Sequence, residues 1–296
     1  MSKIRSILAA SDFSVSAATA ARRAALLASE HAAGLELVHV VPVQALTDFR
    51  ELYRDVIYTE QRILEDAKRR LETLARDLKP TTNSRPECSV RAGNVVDEIL
   101  AAADRSDLLV LGPHGSRSLR DFLIGTTVDR LLRKSRRPIL VSRLETDAAY
   151  RRVMVPVDFS VHSIAALRFA QQIAPGADLL VFHVYDHPYA SDLHPADVPD
   201  QAIEQYHATR REQALSNMEN LQDKIVAAGT KATIHVECGD AKAVIPAKAG
   251  ELGADLIVLG KHGRSFTGEL FLGGVTRHTV ARAQCDVTVV PEYPRP

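Results

Sequence analysis

The sequence repeats itself once, and that repeat limits the fold more than any other feature. Ser6-Ile7-Leu8-Ala9-Ala10-Ser11-Asp12-Phe13-Ser14 returns as Val153-Met154-Val155-Pro156-Val157-Asp158-Phe159-Ser160, with the two aspartates 146 positions apart. Leu37-Val38-His39-Val40 returns as Val181-Phe182-His183-Val184 at a spacing of 144. Asp107-Leu108-Leu109-Val110-Leu111-Gly112 returns as Asp255-Leu256-Ile257-Val258-Leu259-Gly260 at a spacing of 148. Gly93 and Gly239 each close a strand-like run ahead of a helix-like one. Matches in one order at nearly constant spacing mean a duplicated domain. The copies are expected at residues 1–146 and 150–292, meeting near Thr146 to Arg151.

Within each copy, short apolar runs alternate with longer amphipathic stretches, which is the pattern of βα units on a parallel sheet. In copy one the strands are expected at Ile4–Ala10, Leu35–Val41, Glu87–Arg91, Leu108–Leu111 and Ile139–Val141. Helices are expected at Ser16–Ala33, Tyr58–Leu78, Val95–Ala103 and Thr126–Lys134, with Ser14 or Ser16 capping the first and Gly34 ending it. Copy two repeats this between Val153 and Val290, its longest helix near Asp200–Ala228. The fold class is therefore α/β: two tandem, doubly wound domains of five parallel strands each, with right-handed crossovers. Hydrophobic residues make up 46% of the chain and aromatics only 5%, which suits aliphatic strands buried under helices on both faces.

Charge narrows the partners. The 37 basic and 37 acidic side chains cancel, so no global field attracts a phosphate polymer or an anionic membrane, and nucleic acid and membrane are not expected as partners. The 3 cysteines, Cys88, Cys238 and Cys285, are too scattered for a disulfide framework and show no metal spacing. No apolar run approaches the ~20 residues that span a bilayer, and Met1 to Ser6 lead straight into a strand. A cytoplasmic protein with reduced thiols is expected.

Doubly wound domains bind ligands beyond the carboxyl ends of their strands. There, copy one has Gly112-Pro113-His114-Gly115, nine residues, then Gly125-Thr126 opening a helix; copy two has Gly260-Lys261-His262-Gly263, nine residues, then Gly273-Gly274. Glycines allow close backbone approach, and the free N–H groups of a helix start attract phosphate. One such loop is more often a plain turn. Two at identical spacing after equivalent strands favour a ligand.

This set of motifs resembles the universal stress protein family: Gly-x-x-Gly, nine residues, Gly-Ser/Thr, an Asp ending the first strand and His-Val in the second. The chain is similar to a tandem member over almost its whole length, which implies a Rossmann-like domain of the adenine-nucleotide alpha-hydrolase kind. The resemblance implies a stress-response protein that binds ATP or another adenine nucleotide, with Mg²⁺ left open. It also implies contacts from Asp12, Val40, Gly112, Gly115, Gly125 and Thr126 in copy one. In copy two the corresponding residues are Asp158, Val184, Gly260, Gly263, Gly273 and Gly274. In the family the glycine loop holds phosphates, the helix-opening hydroxyl touches the terminal ones, the Asp lies near adenosine, and the Val backbone meets adenine. Two departures stand out. Gly274 has no hydroxyl, and Pro113 lacks an N–H that Lys261 keeps beside an added charge. Copy one is thus expected to be the better triphosphate site, and copy two to be weaker or to prefer fewer phosphates.

Plainer roles compete for several residues. Asp12 and Asp158 can cap the following helices, His39 and His183 read as core histidines, and Cys285 as small core packing. His183, His187, His194 and His207 show no metal-ligand spacing. Arg117, Arg120 and Arg264 can neutralise phosphate or simply be solvated. The segments Pro42–Ile57 and Asp186–Pro199 differ most between copies and are expected to overhang the sites. No Walker lysine motif or nucleophile elbow is present, so a binding module ranks above a slow ATPase, and a ligand-free interaction platform is a third reading. Family subunits pair through last strands; a tandem chain can form that pair internally, Ile139–Val141 against Val287–Val290, with a further homodimer left open.

Overall fold

A computed structural model describes residues 3–44, 56–78, 85–115, 124–145, 148–185, 200–227, 231–263 and 271–291. The backbone gathers into two compact units, centred on residues 1–149 and 150–287. Arg117, Arg120, Arg264, His187, His194, residues 186–199 and most of 42–57 lie outside the described residues.

The first unit runs β1 (Ser6–Ala10), α1 (Val15–His31), β2 (Gly34–Pro42), α2 (Val56–Asp77), β3 (Glu87–Gly93), α3 (Val95–Ala103), β4 (Leu108–Leu111), α4 (Thr126–Lys134) and β5 (Ile139–Val141). Its strands lie in the order β3-β2-β1-β4-β5, all parallel. The winding reverses between β1 and β4, which puts the switch point, and the crevice it opens, at the ends of those two strands. Leu8, Leu37, Leu109 and Leu71 are wholly buried, each worth roughly 1.5–3 kcal/mol of hydrophobic transfer. The inner face of α1 is mostly alanine, Ala20, Ala24, Ala25 and Ala28 with Leu27. Such small side chains bring its backbone close to β1 and β4.

Ser14 caps α1, its side chain accepting from the Ala17 N–H. The far end differs from expectation. Gly34 does not stop the helix; Ala32 does, in the left-handed region at φ 51°, its N–H reaching the Ala28 and Ser29 carbonyls. Gly34 instead opens β2, its N–H donating to the Arg5 carbonyl at 2.8 Å.

The second unit runs β6 (Arg152–Pro156), α5 (Val161–Ile173), β7 (Asp178–Tyr185), α6 (Asp200–Ala227), β8 (Ala232–Cys238), α7 (Ala241–Glu251), β9 (Leu256–Gly260), α8 (Gly274–Arg282) and β10 (Asp286–Val290). The order β8-β7-β6-β9-β10 repeats the first topology, with β6, β7, β8 and β9 parallel. The elements read from sequence are present with limits shifted by at most two residues in the first copy.

Each β1-type strand is clamped by the aspartate that precedes β4 or β9. Asp107 Oδ2 accepts from the backbone N–H of Arg5 at 2.8 Å and of Ser6 at 3.1 Å. Asp255 accepts from the N–H of Arg151 through Oδ2 at 2.7 Å and of Arg152 through Oδ1 at 3.1 Å. In the second unit Tyr150 also donates its hydroxyl to Asp286 at 2.7 Å, both side chains being buried.

Candidate functional site

In the first unit, β1 and β4 end side by side and deliver Asp12 and the glycine loop to one place. A Cβ on Gly115 would lie 2.6 Å from Asp12 Oδ2, and one on Gly112 would lie 2.8 Å from Ser16 backbone and hydroxyl atoms. Gly112 is therefore fixed by close approach to the backbone that starts α1, whereas a side chain at Gly115 would have to displace the Asp12 carboxylate. Ser16 ties the loop down from the other side, its hydroxyl donating to the His114 carbonyl at 2.5 Å. Gly125 closes the loop, its N–H donating to the Pro113 carbonyl at 3.0 Å.

Gly125 is the N-cap of α4 and offers no side-chain cap, so the first N–H groups of α4 point out of the loop without one. Most other helix starts are built differently. Ser14, Asn94, Ser160 and Asp240 each cap their helix through a side-chain oxygen. Among helix starts whose caps are described, α4 and α8 alone have glycine there and no side-chain bond. Thr126, the first residue of α4, is exposed. A helix start left open in this way carries partial positive charge and unused donors.

Asp12 is not a helix cap. Its Oδ1 accepts from the Ser14 N–H at 3.0 Å while Oδ2 faces Gly115. Between them, Phe13 sits at φ 64°, a region that costs a bulky residue of order 1–3 kcal/mol. Its ring stacks on His39 at 4.3 Å between centroids and lies under the Arg70 guanidinium at 4.1 Å. His39 Nδ1 donates to the Ser11 carbonyl at 2.7 Å, since a carbonyl can only accept. Burial pushes the His39 pKa below its ordinary value, Arg70 acting the same way against the Ser11 carbonyl and Asp12. Val40 lies farther along β2, its side chain buried and its backbone in register with Arg91 of β3.

The second unit rebuilds the same frame. Gly263 faces Asp158 Oδ2 at 3.0 Å from its would-be Cβ, and Gly260 faces His162 backbone at 2.8 Å. Asp158 Oδ1 accepts from Ser160 N–H at 3.0 Å, Phe159 repeats φ 64°, and His183 Nδ1 donates to the Val157 carbonyl at 2.7 Å. Gly273 donates to the Lys261 carbonyl at 3.0 Å, as Gly125 does to Pro113. The Thr276 hydroxyl adds a bond to the Gly260 carbonyl at 2.9 Å, pinning α8 to the end of β9. Val184 is only partly buried, unlike Val40.

The sequence profile of the universal stress protein family matches residues 3–143 and again 149–291. The chain belongs to that family. Across 294 residues it is 26% identical to a universal stress protein of Mycolicibacterium smegmatis, covering 96% of each chain. A universal stress protein of Thermus aquaticus is 30% identical over 146 residues, 98% of its own length and 48% of this chain. Among solved structures, a universal stress protein from Archaeoglobus fulgidus superposes with a TM-score of 0.69 at 19% identity, covering 98% of this chain and 97% of its own. That likeness is one of fold, and it spans both units.

For this universal stress protein, sequence reasoning missed three features of the site. Phe13 and Phe159 stood in the repeated segment without a role, and their left-handed backbone turns each aspartate toward its glycine loop. Ser16 does not cap the helix but holds the loop. Lys242 carries no repeat signal, because its copy-one counterpart, Val96, is an ordinary core residue 5% exposed. Of the plainer readings, His39 and His183 are half-buried, carbonyl-bonded histidines, and Cys285 is a buried thiol. Among the described residues no His, Cys, Asp or Glu cluster could hold a metal ion, and no helix is long and apolar enough to cross a membrane.

Proposed function

We propose that each unit holds one adenine nucleotide at its β1/β4-type switch point, and that the protein acts in stress response as a nucleotide-binding module. The observation that carries this reading is the pair of open, glycine-started helices, α4 and α8, in a chain whose other described helix starts are capped by side chains. Their unused N–H donors, with the flanking glycine loops, make a place for phosphate. Asp12 and Asp158 would repel phosphate but can accept from ribose hydroxyls, so the sugar belongs beside them and the phosphates beyond. Adenine then lies toward β2 and β7, where the backbones of Val40 and Val184 are candidates to meet it. In the first unit the Thr126 hydroxyl adds a donor to the terminal phosphate. ATP fits this arrangement, ADP and AMP share it, and Mg²⁺ would act only through phosphate oxygens.

Equilibrium dialysis of the full chain against radiolabelled ATP, ADP and AMP tests the reading. Saturable binding competed by adenosine is expected. Pure protein that retains none of the three nucleotides would overturn it.

A further inference from the structure

The two copies differ by a paired exchange around the open helix. Where copy one has Thr126 opening α4, copy two has Gly274 opening α8. Where copy one has Val96 in the first turn of α3, copy two has Lys242 in the first turn of α7. Val96 is packed into the core, and Lys242 is exposed. Lys242 is held at its base by its N–H bond to the capping Asp240 side chain at 3.0 Å. Its stem runs across the mouth of the second site, since a Cβ on Gly274 would lie 3.5 Å from Lys242 Cε. The ammonium is one bond farther on. Among the described residues that ammonium forms no ion pair, whereas the neighbouring Lys248 is engaged with both Glu237 and Glu251.

We propose that Lys242 is a specificity-determining residue of the second site: its ammonium takes the place of the helix-opening hydroxyl and makes that site select for nucleotides carrying more phosphate charge. The inference rests on the nucleotide reading above and goes beyond it. A hydroxyl offers a neutral donor whose contribution changes little with phosphate number. An ammonium is a compact point charge with three donors, an established kind of phosphate partner, and its attraction grows with the charge it meets. It lies beside a helix start that already favours anions, so the two act on the same oxygens. Glycine at 274 leaves that stem room, since even a Cβ there would already touch Lys242 Cε at 3.5 Å. The second site, which lacks the hydroxyl, is on this view the steeper discriminator between ATP and AMP.

The test uses the full chain with the first site blocked by Gly115→Val, whose added side chain fills the loop and forces the Asp12 carboxylate out of its place. Calorimetric affinities for ATP and AMP are compared in this background, then after Lys242→Met and Lys242→Arg. Lys242 is exposed, so neither change threatens folding. Lys242→Met should lower the ATP-to-AMP preference by about five- to tenfold, and Lys242→Arg should retain most of it. Adding Gly274→Thr to Lys242→Met should recover part of the ATP affinity, by returning a hydroxyl to the vacated space. The salt dependence of ATP binding should also flatten in Lys242→Met, because an exposed cation is screened. An unchanged ATP-to-AMP preference in Lys242→Met would overturn the role of Lys242 while leaving nucleotide binding intact. Failure of the unsubstituted chain to bind any nucleotide would overturn the reading beneath it.

Discussion

Ala32 ends α1 in a conformation that alanine adopts at a cost of roughly 1–2 kcal/mol and glycine without one. Its side chain is exposed, so exchanging it for glycine sacrifices little burial, although glycine adds some unfolded-chain entropy. Ala32→Gly should raise stability by about 0.5–1 kcal/mol and the melting midpoint of the first unit by roughly 2–3 °C; a lower midpoint would show that the strain is relieved in some other way. Phe13 and Phe159 share the same strained backbone but cannot be relieved so cheaply, because their rings rest on His39 and His183 at 4.3 and 4.7 Å. His39 gives the site a pH dependence of predictable sign. Its folded pKa lies below the ordinary value, so the unfolded chain binds the proton first. The contribution of His39 to stability is therefore full above about pH 6.5 and shrinks as pH falls from there toward the folded pKa. Urea unfolding between pH 7.5 and 5 should show the first unit losing stability over that window, and His39→Gln should reduce the loss while keeping a donor for the Ser11 carbonyl. Equal slopes in the two proteins would exclude His39 as the source.

At the level of elements, the strands and helices were legible because short apolar runs and amphipathic stretches are local signals. The repeat doubled each one. What could not be read was the work done by residues that meet across a hundred positions. Asp107 and Asp255 recur in both copies, and their recurrence alone suggests a ligand role as readily as a structural one. The structure assigns them to the backbone, clamping the lead-in to β1 and β6 through N–H groups 101 to 104 positions away. Asp12 and Asp158, equally recurrent, turn the other way, to the glycine loops. Periodicity carries no information that separates these pairs, since both act across the same two neighbouring strands and differ in whether they sit at the amino or the carboxyl end of that pair. The ends of α1 show a second limit: glycine was the natural stop, and a neighbouring alanine took the position because the Arg5 carbonyl claims the Gly34 N–H. If the clamp reading holds, Asp107→Ala should destabilise the first unit by about 1–2 kcal/mol, two part-exposed backbone donors losing a charged acceptor. Nucleotide affinity of the folded protein should stay within twofold. A large loss of affinity with unchanged stability would reassign the residue to the site.

Across the whole molecule, zero net charge and duplication act together. With 37 charges of each sign, attraction for an anion has to come from local donors, and the chain supplies two separate sets of them. The sets share a frame but not their chemistry. One has Pro113, a buried Val96 and the Thr126 hydroxyl; the other has Lys261, an exposed Lys242 and Gly274. Duplicated sites with identical donors would titrate as one class. These should not. Titration of the full chain with ATP should saturate at two nucleotides and require two dissociation constants. Each glycine variant should then remove one class. Gly115→Val places a side chain where even its Cβ would sit 2.6 Å from Asp12 Oδ2, and Gly263→Val does so at 3.0 Å from Asp158 Oδ2. The first contact is the more severe, so Gly115→Val should abolish its class outright, while Gly263→Val should weaken its own class by at least tenfold. The remaining class in each variant should keep its affinity, because the donors named for each site belong to a single copy. Loss of both classes on a single substitution would mean that the two sites are thermodynamically coupled, and a coupling constant rather than two independent affinities would then describe the chain.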